Sequence, residues 1–286
     1  MNRRHFLFGA SALGLTACAK PERNLYSKPA ESQTLLQPEP RRPGTTMPSS
    51  NSGSAPTTAA PATAAVAPTA TDGLPFYVPE KDLPGLSFVA TAAVPAISVY
   101  STDQLTEPTF EFTNPNTSGG PLVFLVEDLN DDTQAYKVLL PTRPNGSVGW
   151  INSSQVHLTR HNYAIKVRLD DFSLSVTDRE EMIFETAVGV GRADAPTPPG
   201  RYYTAELLRP PSSGTAYGPY AYGLSGYSDT FTNFLGGPGQ LGIHGTNNPW
   251  KLGTNASAGC VRLHNDDITH LVETLQLPLG VPVDIV

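Results

Sequence analysis

Cysteine is scarce in this chain, with two residues among 286, Cys18 and Cys260. An even number invites a disulfide in an exported protein. Here Cys18 closes an apolar N-terminal segment and Cys260 lies in the last strand-rich stretch, so a bridge between them fits poorly and each needs its own explanation. An excess of basic charge is also missing, since 19 Lys and Arg stand against 26 Asp and Glu for a net charge of −7. A nucleic-acid surface needs a basic stripe, so nucleic acid is excluded as a partner. No apolar run is long enough to span a bilayer: Phe6 to Ala17 is about half of the roughly 20 residues required. Large apolar residues are nearly absent from Ala19 to about Thr71, where many of the 28 prolines fall. Such a segment cannot bury enough surface to offset the entropy of ordering, and proline keeps it stiff and extended. Residues 19–73 are therefore read as a disordered spacer with no assigned structure.

What is present begins at the N-terminus. Arg3 and Arg4 precede the apolar stretch Phe6–Ala17, the layout of an export signal. Leu15-Thr16-Ala17-Cys18 resembles the lipobox of bacterial lipoproteins, and the paired arginines followed by His5-Phe6-Leu7 resemble a twin-arginine signal. These resemblances imply an exported chain with residues 1–18 as signal, Cys18 as the lipidation site, and a lipid anchor on the outer membrane face. The spacer would then lift the folded part into the wall or periplasm.

Two folded pieces follow. From residue 74 to 160, short apolar runs at Leu122–Val126 and Tyr136–Leu140 alternate with turn signals at Asn130-Asp131-Asp132 and Arg143-Pro144-Asn145-Gly146. This predicts a small β module, roughly an SH3-like barrel, that packs on the rest, with Trp150 in its core. From 161 to 286 the pattern is β again. Ala164–Leu169 and Phe172–Val176 alternate around an Asp170-Asp171 hairpin, and Met182–Val190 is a third strand. A turn at Thr197-Pro198-Pro199-Gly200 leads into a strand from Arg201, and Arg209–Gly239 reads as a long functional loop carrying Tyr217, Tyr220, Tyr222 and Tyr227. One helix is predicted, capped by Asn265 or Asp266, with Ile268, Leu271, Val272 and Leu275 on one face. A last strand covers Val281–Val286. The fold class is mainly β with one packed helix, and nothing in it demands more than a monomer.

The chemistry concentrates between Leu241 and Leu263. Gly242-Ile243-His244-Gly245 ends a short strand, and sixteen positions after the histidine comes Cys260 within Ser257-Ala258-Gly259-Cys260-Val261-Arg262. A thiol attacks as thiolate, and a neighbouring histidine is the common way to make one. Glycine before the nucleophile leaves room for a carbonyl and lets backbone N–H groups face a developing oxyanion. A metal site from His244, Cys260 and His264 is the rival chemistry. Three ligands with no fourth, and no Cys-x-x-Cys pair, fit zinc poorly.

These residues resemble the YkuD-type L,D-transpeptidase catalytic domain over about Tyr163 to Val286. The carriers are His244-Gly245, Ser257-Ala-Gly-Cys260-Val-Arg262, the upstream Thr197-Pro198-Pro199-Gly200 and the trailing Asn265 and Asp267. The resemblance implies a β-sandwich with one helix, Cys260 as nucleophile, His244 as base and the Gly245 carbonyl orienting the imidazole. It further implies an oxyanion hole at Gly259 and Cys260 and substrate contacts at Arg262, Ser257 and Tyr222. The substrate would be peptidoglycan stem peptides joined in 3→3 cross-links without a metal or organic cofactor. L,D-carboxypeptidase activity of the same site, or a non-catalytic wall-binding lipoprotein, are the alternatives. Ala258 departs from the histidine that many members carry there, which bears on substrate preference.

Overall fold

The computed structural model describes residues 84–130, 132–233 and 237–286, with the backbone of Arg23 and Asn24. Arg23–Asn24 form a two-residue strand, β1, paired antiparallel with Leu208 and Arg209. This falls within the segment read as structureless; the remainder of that segment and Cys18 lie outside the described residues. Among the described residues, no helix is long and apolar enough to cross a membrane.

The first folded piece is a seven-stranded antiparallel sheet. Its strands are β2 (Ser87–Ala92), β3 (Ala96–Tyr100), β4 (Pro108–Thr113), β5 (Val123–Asn130), β6 (Ala135–Leu139), β7 (Val148–Asn152) and β8 (Val156–His161). They run in the order β4-β3-β7-β6-β5-β2-β8. The expected SH3-like barrel is not closed, because β4 and β8 are the two ends of this path. β4 is exposed at nearly every position and begins with Pro108, which is how an edge strand avoids further pairing. Trp150 lies in β7 opposite Lys137 and Tyr100, half-buried.

The apolar run Leu122–Val126 is continuous because β5 is covered on both faces. Phe124 points into the module's own core with Ala90, Ile97, Val138 and Ile151. Its neighbours Val123 and Leu125, with Val89 and Leu139, join the core of the second piece. Side chains alternate along a strand, so two buried faces require an unbroken apolar sequence. The Arg143–Gly146 turn adds polar ties. Arg143 donates to the carbonyls of Ser228 and Phe231 at 3.0 Å each, and Asn145 exchanges hydrogen bonds with the Tyr227 backbone at 2.8 and 2.9 Å.

The second piece holds β9 (Tyr163–Arg168), β10 (Ser173–Asp178), β11 (Glu181–Ala187), β12 (Val190–Gly191), β13 (Gly200–Arg209), β14 (Ala221–Tyr227), β15 (Gln240–His244), β16 (Asn255–Ser257), β17 (Val261–Arg262) and β18 (Pro282–Ile285). The main sheet runs β11-β10-β9-β18-β13-β14-β15-β17. β13 turns the corner: its first residues pair with β18, a register shift falls between Thr204 and Glu206, and its second half pairs with β14. Both halves close on one core that includes Ile165, Val176, Tyr202, Leu224, Ile243 and Val261. The β9–β10 hairpin forms where Asp170-Asp171 predicts it, with Arg168 opposite Ser173.

Two expectations are corrected. The stretch Arg209–Gly239 is not one long loop, because β14 runs through it and is almost wholly buried. Its glycines made it read as loop, yet they are there for close approach: a Cβ at Gly226 would sit 2.1 Å from the Tyr202 ring. The helix is α1 (Asn265–Thr269), prolonged by a π-helical turn over His270–Thr274. Its cap is His264, which accepts from the Asp266 N–H at 3.3 Å, rather than Asn265 or Asp266. Asn265 is used elsewhere.

Gly280 joins the two pieces tightly. It sits at φ +87°, in the left-handed region, and an added Cβ would lie 2.4 and 2.6 Å from the Val89 methyls. Backbone strain and overpacking against a stiff β-branched side chain act together in Gly280→Ala, for an expected loss of about 3 kcal/mol. Urea denaturation followed by fluorescence measures it, and a loss under about 1 kcal/mol would contradict this packing.

Candidate active site

His244 ends β15 and is buried. Its Nδ1 lies 2.6 Å from the Gly245 carbonyl oxygen. A carbonyl only accepts, so Nδ1 carries the hydrogen and Nε2 keeps a lone pair. The backbone at Gly245 is clamped from several sides. Its position has no room for a Cβ, which would meet Asn265 Oδ1 at 2.4 Å and Pro219 Cδ at 3.0 Å. Asn265 Oδ1 also accepts from the Thr246 N–H at 2.8 Å. The asparagine trailing the cysteine motif therefore holds the strand end that orients the histidine. Asp267 takes the Thr186 hydroxyl at 2.6 Å, tying α1 to β11.

Cys260 precedes β17, which pairs parallel with β15 and sets Val261 beside Ile243 and Arg262 beside His244. Gly242 lies between histidine and thiol. A Cβ there would be 3.9 Å from His244 Cδ2 and 4.0 Å from Cys260 Sγ, so the two side chains converge over a residue that has none. The loop bearing the thiol is pinned by Thr197, whose buried hydroxyl accepts from the Gly191 N–H and donates to the Gly259 carbonyl, both at 2.8 Å. That is the work of the Thr-Pro-Pro-Gly turn. Gly259 adopts φ +116°, a conformation that favours glycine.

Several expected roles change. Ser257 is buried and its Oγ accepts from the Gly259 N–H at 3.0 Å, so it shapes the loop instead of meeting substrate. The same bond takes the Gly259 N–H out of the expected oxyanion hole, and Cys260 N–H is the donor left from that pair. Tyr222 is fully buried on the core side of β14, with its hydroxyl donating to the Leu277 carbonyl at 2.8 Å. The residue lines the cavity beside Cys260, but its hydroxyl is engaged in the core. Arg262 does face the site: it lines the same cavity as Cys260, bonds Ala256 O weakly at 3.4 Å, and leaves a buried Nε without a protein partner. His264 caps α1 and does not join His244 and Cys260.

The cavity has a volume of about 210 Å³ and is lined by Tyr217, Gly242, His244, Ala258, Cys260 and Arg262, among others. Tyr217 was one of four loop tyrosines with no distinguishing signal. Its ring centroid lies 4.8 Å from that of His244, covering the imidazole. Glu206 also lines this cavity and was missed, because a carboxyl inside an ordinary strand pattern carries no motif.

Burial sets the protonation states. It drives the His244 pKa down to about 4; the Gly245 bond opposes this and the nearby Arg262 charge assists it. Burial also pushes the Cys260 thiol up, against lowering contributions from the Gly242 backbone and Arg262. Both shifts favour a neutral thiol beside a neutral imidazole at neutral pH. This differs from a pre-formed thiolate.

A neutral base with one free lone pair, beside a nucleophilic sulfur in a cavity with an unpaired guanidinium nitrogen, suits acyl transfer. Residues 162–285 match the sequence model of the family described as YkuD, L,D-transpeptidase catalytic domain. This part of the chain is similar to the catalytic domain of that family. YkuD of Bacillus licheniformis, named as an L,D-transpeptidase, is 32% identical over 123 residues, 43% of this chain and 65% of that protein. YkuD of Bacillus subtilis is 31% identical over 125 residues, 44% of this chain and 65% of that one. The chain thus spans just under two thirds of these relatives. A solved catalytic domain of an E. faecium L,D-transpeptidase is 18% identical, with 44% and 98% of the two chains covered and a TM-score of 0.33.

Two outcomes test the protonation states. A histidine whose folded pKa is depressed contributes stability that is fully present above the unfolded value of 6.5 and is lost as pH falls through about 4. The loss is about 3 kcal/mol at most. Denaturation at pH 7.5, 5.5 and 4 should show a steeper fall for the wild type than for His244→Gln, and parallel curves would refute the shift. Separately, alkylation of Cys260 by iodoacetamide should be slow at pH 6 and keep rising beyond pH 8. A rate plateau in the acidic range would instead reveal a standing thiolate.

Proposed function

We propose that the protein is an exported, lipid-anchored peptidoglycan L,D-transpeptidase that forms 3→3 cross-links through a Cys260 acyl-enzyme. The observation that carries this reading is the convergence of His244 and Cys260 over Gly242, with Nδ1 locked on the Gly245 carbonyl. The lipobox-like Leu15–Cys18 and the spacer behind it support placement in the wall or periplasm.

Cys260 Sγ attacks the carbonyl carbon of the third residue of a tetrapeptide stem while His244 Nε2 takes the thiol proton. The oxyanion of the tetrahedral intermediate accepts from Cys260 N–H. The C–N bond to the terminal D-alanine breaks and His244 returns the proton to the leaving amine, leaving a thioester. The side-chain amine of a neighbouring stem's third residue then attacks, giving a proton to His244. The C–S bond breaks and the thiolate recovers that proton. Water in place of the amine yields a tripeptide and makes the same site an L,D-carboxypeptidase. Arg262, with an unpartnered Nε at the cavity, is suited to a stem carboxylate.

Intact-mass analysis of the full chain with a carbapenem should show one adduct per molecule, absent from Cys260→Ala. Incubation with a disaccharide-tetrapeptide should give cross-linked dimer and free D-alanine. A folded protein that forms neither adduct nor product would instead be a wall-binding protein.

A further inference from the structure

Glu206 is a carboxyl without an assigned task. It is buried in β13, and burial pushes its pKa up, with hydrogen bonds from Ser118 and Gln240 as the opposing contributions. Among the described residues no ion pair reaches it. A buried carboxyl with only neutral partners is expensive to keep unless a ligand completes it.

Its position relative to the thiol follows from strand register. Glu206 is opposite Gly223, and Gly223 is opposite Gly242. A Cβ at Gly223 would lie 2.6 Å from Glu206 Oε1 and 3.0 Å from Gln240 Nε2, so the carboxyl lies over Gly223 as Cys260 Sγ lies over Gly242. Two glycines side by side thus make a shallow trough on one sheet face, with the thiol at one end and the carboxyl at the other. Opposite Cβ positions in a sheet are about 5 Å apart, which keeps Oε1 within about 12 Å of Sγ. Glu206 and Gln240 also line a second cavity, of about 290 Å³, whose other walls include Phe110, Phe112, Asn116 and Thr117 from the module. The two cavities share Glu206 and Gln240.

We infer that Glu206 binds the ammonium group of the second, acceptor peptide stem, and that the cavity between module and catalytic domain holds the rest of that stem. This rests on the transpeptidase reading above. A carboxylate at the far end of the trough completes its charge on a cationic amine and on no other common group of a stem peptide. The trough then leads that amine toward the thioester. The module is part of the acceptor site, since its residues wall the second cavity beside Glu206.

The test uses the full chain with a disaccharide-tetrapeptide as donor and acceptor, and reads the ratio of cross-linked dimer to hydrolysed tripeptide. Glu206→Gln keeps the shape and should lower that ratio at least tenfold, with a raised KM for acceptor that Glu206→Asp partly restores. A purely structural role would depress both products together and leave the ratio unchanged, which overturns the inference. A wild type that yields tripeptide alone overturns it as well. A wild type that forms no acyl-enzyme with a carbapenem defeats the transpeptidase reading itself, and this inference with it.

Discussion

The hydrogen bond between His244 Nδ1 and the Gly245 carbonyl fixes more of this site than its size suggests. It decides which ring nitrogen carries the proton, and so which one is free toward Cys260. It holds only while the Gly245 backbone stays in place. That backbone is wedged against Pro219 and Gly218 and braced by Asn265, which takes the next N–H along. Asn265 in turn begins α1, and Ile268 of α1 and Leu271 of the π-helical turn after it are buried in the main core. The orientation of one imidazole is thereby tied to the packing of the domain, and a change in α1 would be felt at the base.

The thiol is held by a parallel device from the other side. Thr197 bridges Gly191 and Gly259, and Ser257 holds the Gly259 N–H, so the cysteine loop has little freedom. Its rigidity has a consequence for the backbone: the Gly259 N–H is already occupied. Burial lowers the His244 pKa and pushes the half-buried Cys260 thiol up, so both shifts favour the neutral forms of the two groups. The missing side chains at Gly223 and Gly242 complete the arrangement, the first making room for Glu206 and the second for His244 and Cys260 to converge.

Much of this was readable from local signals. The β9–β10 hairpin follows from two acidic turn residues between alternating runs, and the strand at Val123–Asn130 from an apolar cluster. What misled was glycine and tyrosine in β14. Gly223 and Gly226 resemble loop residues until the partners that need their space, Glu206 and Tyr202, are known. The helix cap was misplaced by one or two positions because His264, a weak cap by composition, happens to offer Nδ1 to the Asp266 N–H. The module packs on the neighbouring domain as its sequence suggests, and it does so through the second apolar face of β5.

The sequence by itself determined the mainly β class, the order of the motifs and the candidate pair His244 and Cys260, because each depends on residue type at short spacing. Tertiary structure alone decided that Ser257 is bonded within the cysteine loop, that the Tyr222 hydroxyl is engaged in the core, that Gly259 N–H is occupied, and that Glu206 shares the thiol's cavity. It also decided the direction in which the His244 and Cys260 pKa values move. Hydrogen-bond partners across strands and the loss of water around a group are set by residues distant in the chain, and no local pattern records them.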